Sequence, residues 1–92
     1  MRPKYLYKRH FVEILLLLNQ SPKSFNELLK TLDAYPDTLN RRLKEMQSLK
    51  LITQVEIDGK IKYILTDKGK RLIPLVEKVL RLIREIEKLI EE

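Results

Sequence analysis

Residues 24–46 read SFNELLKTLDAYPDTLNRRLKEM and hold two helix signals in direct succession. Ser24 is a favourable N-cap, and Glu27 three positions on completes a reciprocal capping box. Phe25, Leu28, Leu29 and Leu32 then recur at helical spacing. Asp33-Ala34-Tyr35-Pro36 stops this helix. Pro36 and Asp37 open the next one, where proline sacrifices no helical hydrogen bond and an acid meets the positive end of the helix dipole. Leu39, Leu43 and Met46, broadened by Leu49, form an apolar stripe along it. Two helices joined by so tight a turn make a helix-turn-helix.

Outward from this pair, the stretch 8–19 carries Phe11, Ile14, Leu15, Leu17 and Leu18 over most of a helical surface, which places that helix in the middle of the core. Asn19-Gln20-Ser21-Pro22 ends it, because proline disfavours a helical residue before it. On the other side the period changes. Val55 and Ile57 alternate with polar neighbours in 52–57, Asp58-Gly59 is a hairpin turn whose central residues need positive φ, and 60–65 returns with Ile61 and Tyr63 on one face. Thr66 caps a final helix, with Gly69 near its start and Pro74 expected to kink it.

The order helix, helix, helix, hairpin, long helix predicts a mainly α fold with a small β-hairpin (α+β), a winged helix-turn-helix. Residues 1–66 form the expected DNA-binding domain, and 67–92 a C-terminal dimerisation helix continuous with it. Ninety-two residues leave no room for a second core, and so short a chain often draws on disulfides, metals or oligomerisation. With no cysteine and a single histidine, His10, neither a disulfide nor a metal site is expected, which leaves oligomerisation. The basic start followed by FVEILLLL has the outline of a signal peptide. Glu13 interrupts the run, no small-residue cleavage site follows, and it is too short to span a bilayer. The expectation is a soluble, cytoplasmic, nucleoid-associated protein without membrane contact.

Nineteen Lys and Arg against 13 Asp and Glu give a formal charge of +6 and a pI near 9.7, the footprint of a polyanion partner. A thermophile-style charged surface would share this composition, but the distribution is uneven. Arg2, Lys4, Lys8 and Arg9 include no acid among the first ten residues, and Arg41, Arg42 and Lys44 form a second cluster. With 39, 43 and 46 in the core, Asp37, Thr38, Asn40, Arg41, Arg42 and Lys44 occupy the outer or flanking surface of the third helix. In a helix-turn-helix that surface enters the major groove, where Arg pairs with guanine and Asn with adenine. Arg41, opposite the stripe, is the expected base reader, and Arg42, beside it, is expected to reach phosphate. On the hairpin, Lys60 and Lys62 share a strand face suited to phosphate or minor-groove contact, although Glu56 and Asp58 repel phosphate nearby. The basic arm with Tyr5 and Tyr7 suits DNA or a partner subunit.

On the last helix, Leu72, Leu75, Val79, Leu82, Ile86 and Leu89 follow alternating spacings of three and four, a heptad seam, with Ile73, Val76, Leu80, Ile83 and Ile90 beside it. Two stripes need two partners, the chain's own domain and a second copy. The expected dimer contacts are Leu75, Val79, Leu82, Ile86 and Leu89.

Ser24-Phe25-Asn26-Glu27-Leu28, the run Thr38 to Met46, and Tyr63-Ile64-Leu65-Thr66-Asp67-Lys68-Gly69-Lys70 with Leu72 to Leu75 resemble the HxlR-type winged-helix regulators. That group shows an F-N-E-L second helix, a T-L-S-R-R-L-K-E-L recognition helix and a Y-x-L-T-E-K-G-x-x-L-x-P segment; the L-T-x-x-G element is shared with MarR- and PadR-like relatives. The resemblance implies a dimeric transcription regulator that binds operator DNA through Thr38 to Lys44 and the wing. The cysteine and tryptophan such regulators often carry near the first helix are absent, which rules out cysteine-based sensing, and Lys50 stands where a glycine is usual. No phosphate-cradling loop or nucleophile elbow points to an enzyme, and no cofactor is implied. The sequence leaves open any small-molecule effector. Competing readings are a nonspecific architectural DNA-binding protein and a winged helix used for protein contact.

Overall fold

The structure, a computed structural model, describes residues 2–92. Its elements are α1 (Phe11–Gln20), α2 (Phe25–Leu32), α3 (Pro36–Ser48), β1 (Ile52–Ile57), β2 (Lys60–Leu65) and α4 (Asp67–Glu91). The core gathers Phe11, Ile14, Leu15 and Leu18 of α1 around Leu28 of α2 and Leu39, Leu43 and Met46 of α3. Leu51, Ile52, Tyr63 and Leu65 close it from the hairpin base, and Ile73 and Val76 from α4. The apolar helix at the sequence's start thus sits where its composition places it.

Local chemistry sets each boundary. The Ser24 hydroxyl accepts from Glu27 N at 3.1 Å while the Glu27 carboxylate accepts from Ser24 N at 2.9 Å, so the α2 capping box is complete. Asp58 and Gly59 both take positive φ, 52° and 76°, as the two-residue turn requires. β1 and β2 pair antiparallel from Ile52 opposite Leu65 to Ile57 opposite Lys60. Tyr63 and Leu65 are buried, but Ile61 on the same strand face is exposed, because the hairpin tip runs out beyond the core.

Three features depart from the sequence reading. α1 begins at Phe11 rather than near residue 8, since His10 has φ 66° and a left-handed residue cannot continue a right-handed helix. Lys23 and Tyr63 exchange two backbone bonds of 3.2 and 2.7 Å, a one-residue bridge that lays the α1–α2 connection against β2 and is too short to leave a periodic signal. Lys50 adopts φ 62°, which explains why glycine is the usual residue there.

α4 starts with the Thr66 hydroxyl accepting from Gly69 N at 3.1 Å, and the helix runs through Pro74 to Glu91. Ile73 and Val76 are buried, and Leu72 and Leu80 pack partly against the core. Gly69 is held tightly. A Cβ there would lie 2.2 Å from the Leu51 carbonyl oxygen and 3.2 Å from Leu65 Cδ2. That carbonyl accepts from Thr66 N at 3.0 Å and so cannot swing aside without losing the bond.

Gly69→Ala therefore tests which effect governs this turn. Helix propensity alone would make alanine better by about 1 kcal/mol. The clash should reverse the sign, leaving a net loss of about 1–3 kcal/mol in urea unfolding; an unchanged or raised midpoint would show that the junction yields freely.

Candidate nucleic-acid interface

α3 presents one face to the core and leaves the other open. With Leu39, Leu43 and Met46 buried, Asp37, Asn40, Arg41 and Lys44 are exposed and Thr38 is half-buried on the flank. At 3.6 residues per turn, Arg41 and Lys44 lie nearly opposite the buried stripe. Among the described residues neither has a hydrogen-bond or ion-pair partner. The face that the sequence assigns to reading bases is thus polar, exposed and uncommitted.

Arg42 is placed differently from that expectation. Its side chain is only 14% exposed, with Nε donating to the Arg9 carbonyl at 2.9 Å and Nη1 lying 2.9 Å from Glu45 Oε1. The other oxygen of Glu45 accepts from Lys8 Nζ. Lys8 and Arg9 belong to the N-terminal arm, so Arg42, Glu45, Lys8 and the Arg9 backbone form a clasp that joins the arm to the flank of α3. The Glu45 carboxyl is held below its ordinary value, first by the hydrogen bond from Lys8, then by that from Arg42 and by the charge of both, against an opposing desolvation effect. The arm has a second anchor: Tyr5 stacks on Phe11 with ring centroids 6.0 Å apart, and Lys4 and Lys8 each lie 5.4 Å from the Tyr5 ring centroid.

The wing carries the remaining candidates. Lys60 is exposed at its tip beside Asp58 and Gly59. Lys62 lies nearer the base, its ammonium 3.5 Å from Glu27 Oε1 on α2. Glu27 is itself shifted below the usual glutamate range, mainly by the backbone hydrogen bond from Ser24 and next by the Ser24 hydroxyl, with Lys62 a smaller contribution. Tyr35 is a further exposed residue beside α3 that no motif marks. It is three-quarters exposed in the turn before α3, and the only sequence signal was an aromatic residue where a turn ordinarily needs none.

The expected dimer seam is open. Leu75, Val79, Leu82, Ile86 and Leu89 are all exposed, as are Ile83 and Ile90. Leu72, the first member of the heptad series, packs instead against its own domain. An apolar groove of about 310 Å³ runs beside the seam, lined by Pro3, Leu6 and Tyr7 of the arm and by Val79, Leu80 and Ile83 of α4. Among the described residues no helix is long and apolar enough to cross a membrane.

Three helices, a two-stranded wing and a long terminal helix with an exposed polar face on the third helix define a winged helix-turn-helix domain. The HxlR-like helix-turn-helix family profile matches residues 5–90, and the chain belongs to that family of transcriptional regulators. It is 32% identical over 79 residues, 80% of its length, to an uncharacterized HTH-type transcriptional regulator, MJ0361, of Methanocaldococcus jannaschii, matching 74% of that protein. The reduced form of the transcriptional regulator YodB from B. subtilis superimposes with a TM-score of 0.77 at 27% identity, covering 88% of this chain and 89% of that one. BldR from Sulfolobus solfataricus shares the fold, with a TM-score of 0.74 at 18% identity over 88% of this chain and 66% of its own.

The clasp should show in the pH dependence of stability. A carboxyl whose value is lowered by folding stabilises the native state above its unfolded value and loses that contribution as pH falls through the folded one. Glu45→Gln should therefore be less stable than wild type at neutral pH, with the gap between their urea midpoints closing on acidification below the ordinary glutamate range. Glu27 titrates equally in both proteins and drops out of the difference. Parallel midpoints at every pH would remove the Glu45 charge from the account.

Proposed function

We propose that this regulator binds operator DNA as a two-fold dimer, reading bases with α3 and gripping the backbone with the wing. The observation that carries the reading is the uncommitted polar face of α3, directly opposite a fully buried stripe. Asn40 and Arg41 supply the side chains suited to adenine and guanine edges, and Lys44, Thr38 and Asp37 flank them. Lys60 at the wing tip grips phosphate. Lys62 reaches phosphate only by leaving Glu27, and Arg42 only by opening the clasp, so both act first as supports. Tyr35 offers a hydroxyl to the backbone at the entrance of α3. Such a protein works inside the cell, on the nucleoid.

The seam on α4 supports the dimer. Beyond Leu80 the helix has no core of its own chain to cover it, yet Leu82, Ile83, Ile86, Leu89 and Ile90 continue the apolar pattern to its end. An exposed apolar stripe of this length marks an association surface, and a heptad repeat fits a second copy of the same helix. Two-fold symmetry then favours a pseudo-palindromic site, with half-sites about one helical turn or a multiple apart.

Two experiments test this. Selection from random duplex DNA should enrich a palindromic motif. Arg41→Ala should then cost about 1–3 kcal/mol on that motif and relax preference at one base position, with much less loss on unrelated duplex. Unchanged discrimination in Arg41→Ala and in every other α3 variant would favour a nonspecific architectural role. For assembly, charges introduced at Leu82 and Ile86 should give monomer in light scattering at the concentration where the wild type is a dimer; a persisting dimer would relocate the interface.

A further inference from the structure

Of the arm's charges Lys8 is tied to Glu45 of α3, which helps to fix the arm against that helix, while the Arg9 guanidinium has no such partner among the described residues. From the clasp we infer that the arm is a third DNA-contacting element, with the Arg9 guanidinium as a phosphate contact and Arg42 as the residue that positions it. This rests on the DNA-binding reading above and extends it to a residue outside both the helix-turn-helix and the wing.

Arg9 is held through its main chain. Arg42 Nε bonds to the backbone carbonyl of Arg9, at 2.9 Å, and not to its side chain. Lys8, the preceding residue, is tied to Glu45. The Lys8 N–H donates to the Tyr5 carbonyl at 2.9 Å and the Phe11 N–H to the Lys8 carbonyl at 3.1 Å, so the arm is folded into successive turns. The main chain at residue 9 is therefore pinned on both sides, while its own guanidinium is exposed and unpartnered among the described residues. Holding the backbone and freeing the charge is the arrangement that delivers a cation to a fixed place at little ordering cost.

The place is set by helical geometry. At about 100° per residue, Arg42 and Glu45 define one flank of α3, and Arg41 lies between that flank and the outermost line of the helix. With the outer face in the major groove, the flank looks toward the phosphates that border it, where contacts fix register without reading sequence. Charge agrees. Lys8, Arg9 and Arg42 bring three positive charges to this flank against the one of Glu45, which its two partners already neutralise. Glu13 is the nearby opposing acid; it sits 3.8 Å from His10 Nδ1, on the first turn of α1. Arg42, mostly buried and doubly bonded, acts through Arg9 and does not itself grip DNA.

The test is a double-mutant cycle on a duplex carrying the selected motif, with affinity measured over a salt series. Arg9→Ala leaves the clasp intact, because the bonded group is a carbonyl. It should lower affinity about three- to tenfold on specific and unrelated duplex alike and reduce the slope of log affinity against log salt by about one. Arg42→Met, which keeps length and removes the clasp donors, should produce a comparable loss. The double variant should then lose little more than either single one, since a released arm no longer presents Arg9. Glu45→Gln, which keeps Arg42 and its charge, serves if Arg42→Met fails to fold, and it should also lower the affinity.

Additive losses in the cycle would mean that Arg42 contacts phosphate independently, and would overturn its positioning role. An unchanged salt slope in Arg9→Ala, alongside a loss of discrimination in Arg41→Ala, would overturn the arm contact while leaving the α3 reading in place. If Arg9→Ala instead shifts the dimer–monomer balance at constant salt slope, the arm serves the partner subunit and the inference fails. Absence of any duplex binding by the wild type would sink the DNA-binding reading itself, a result that the wild-type titration alone reveals.

Discussion

The carbonyls that follow α3 hold the rest of the structure in place. Three consecutive carbonyls at and just past the C-cap of α3 are satisfied by the start of α4. Lys68 Nζ donates to the Leu49 carbonyl at 2.9 Å, the Thr66 hydroxyl to that of Lys50 at 2.6 Å, and Thr66 N to that of Leu51 at 3.0 Å. Gly69 lets the first turn of α4 press onto the same segment. A positive side chain at the negative end of α3 adds a favourable dipole contact. The hairpin leaves from Ile52 and returns at Leu65, so it is clamped at its base by the same bonds. These bonds, together with Ile73 and Val76 packed into the core, hold the start of α4 in place relative to α3.

That junction also accounts for the left-handed Lys50. To turn from α3 into β1 and still offer carbonyls 49 to 51 toward α4, the chain must reverse within a residue, which a positive φ achieves. A lysine bears that conformation at a cost of about 1–2 kcal/mol relative to glycine. The surrounding hydrogen bonds, with Lys50 N on the Gln47 carbonyl and Leu51 N on that of Met46, overdetermine the turn and hold it.

What was legible in the sequence is what depends on near neighbours. The Ser24–Glu27 box, the Asp58-Gly59 turn, the Thr66 cap and the Leu39-Leu43-Met46 stripe all operate within four residues, and each reappears in the fold. The exposed α4 seam was legible for the same reason, because helical periodicity alone aligns Leu75 with Leu89. Contacts between distant residues were not legible. Lys8 and Glu45 are 37 positions apart, Arg9 and Arg42 33, and Lys62 and Glu27 35; no local pattern distinguishes a lysine that will find a carboxylate from one that will face solvent. The beginning of α1 was misplaced for a related reason. Lys8, Arg9 and His10 are acceptable helix residues by propensity, and the left-handed His10 that ends the arm, with Lys8 and Arg9 bonded to α3, leaves no local signal.

Pairing distinguishes the basic residues that tie elements together from those left open, which net charge alone does not do. Lys8, Arg42, Lys62 and Lys68 have been taken up as partners by Glu45, by Glu27 and by carbonyls. Arg9, Arg41, Lys44 and Lys60 remain exposed with no such partner among the described residues. Exposed ion pairs stabilise a fold little, so pairing these four would have gained only tenths of a kcal/mol. Their freedom therefore has little cost in stability. Folding has used Lys8, Arg42, Lys62 and Lys68 to tie elements together and left Arg9, Arg41, Lys44 and Lys60 exposed, as it has Lys30, Lys70, Arg71 and the basic residues further along α4.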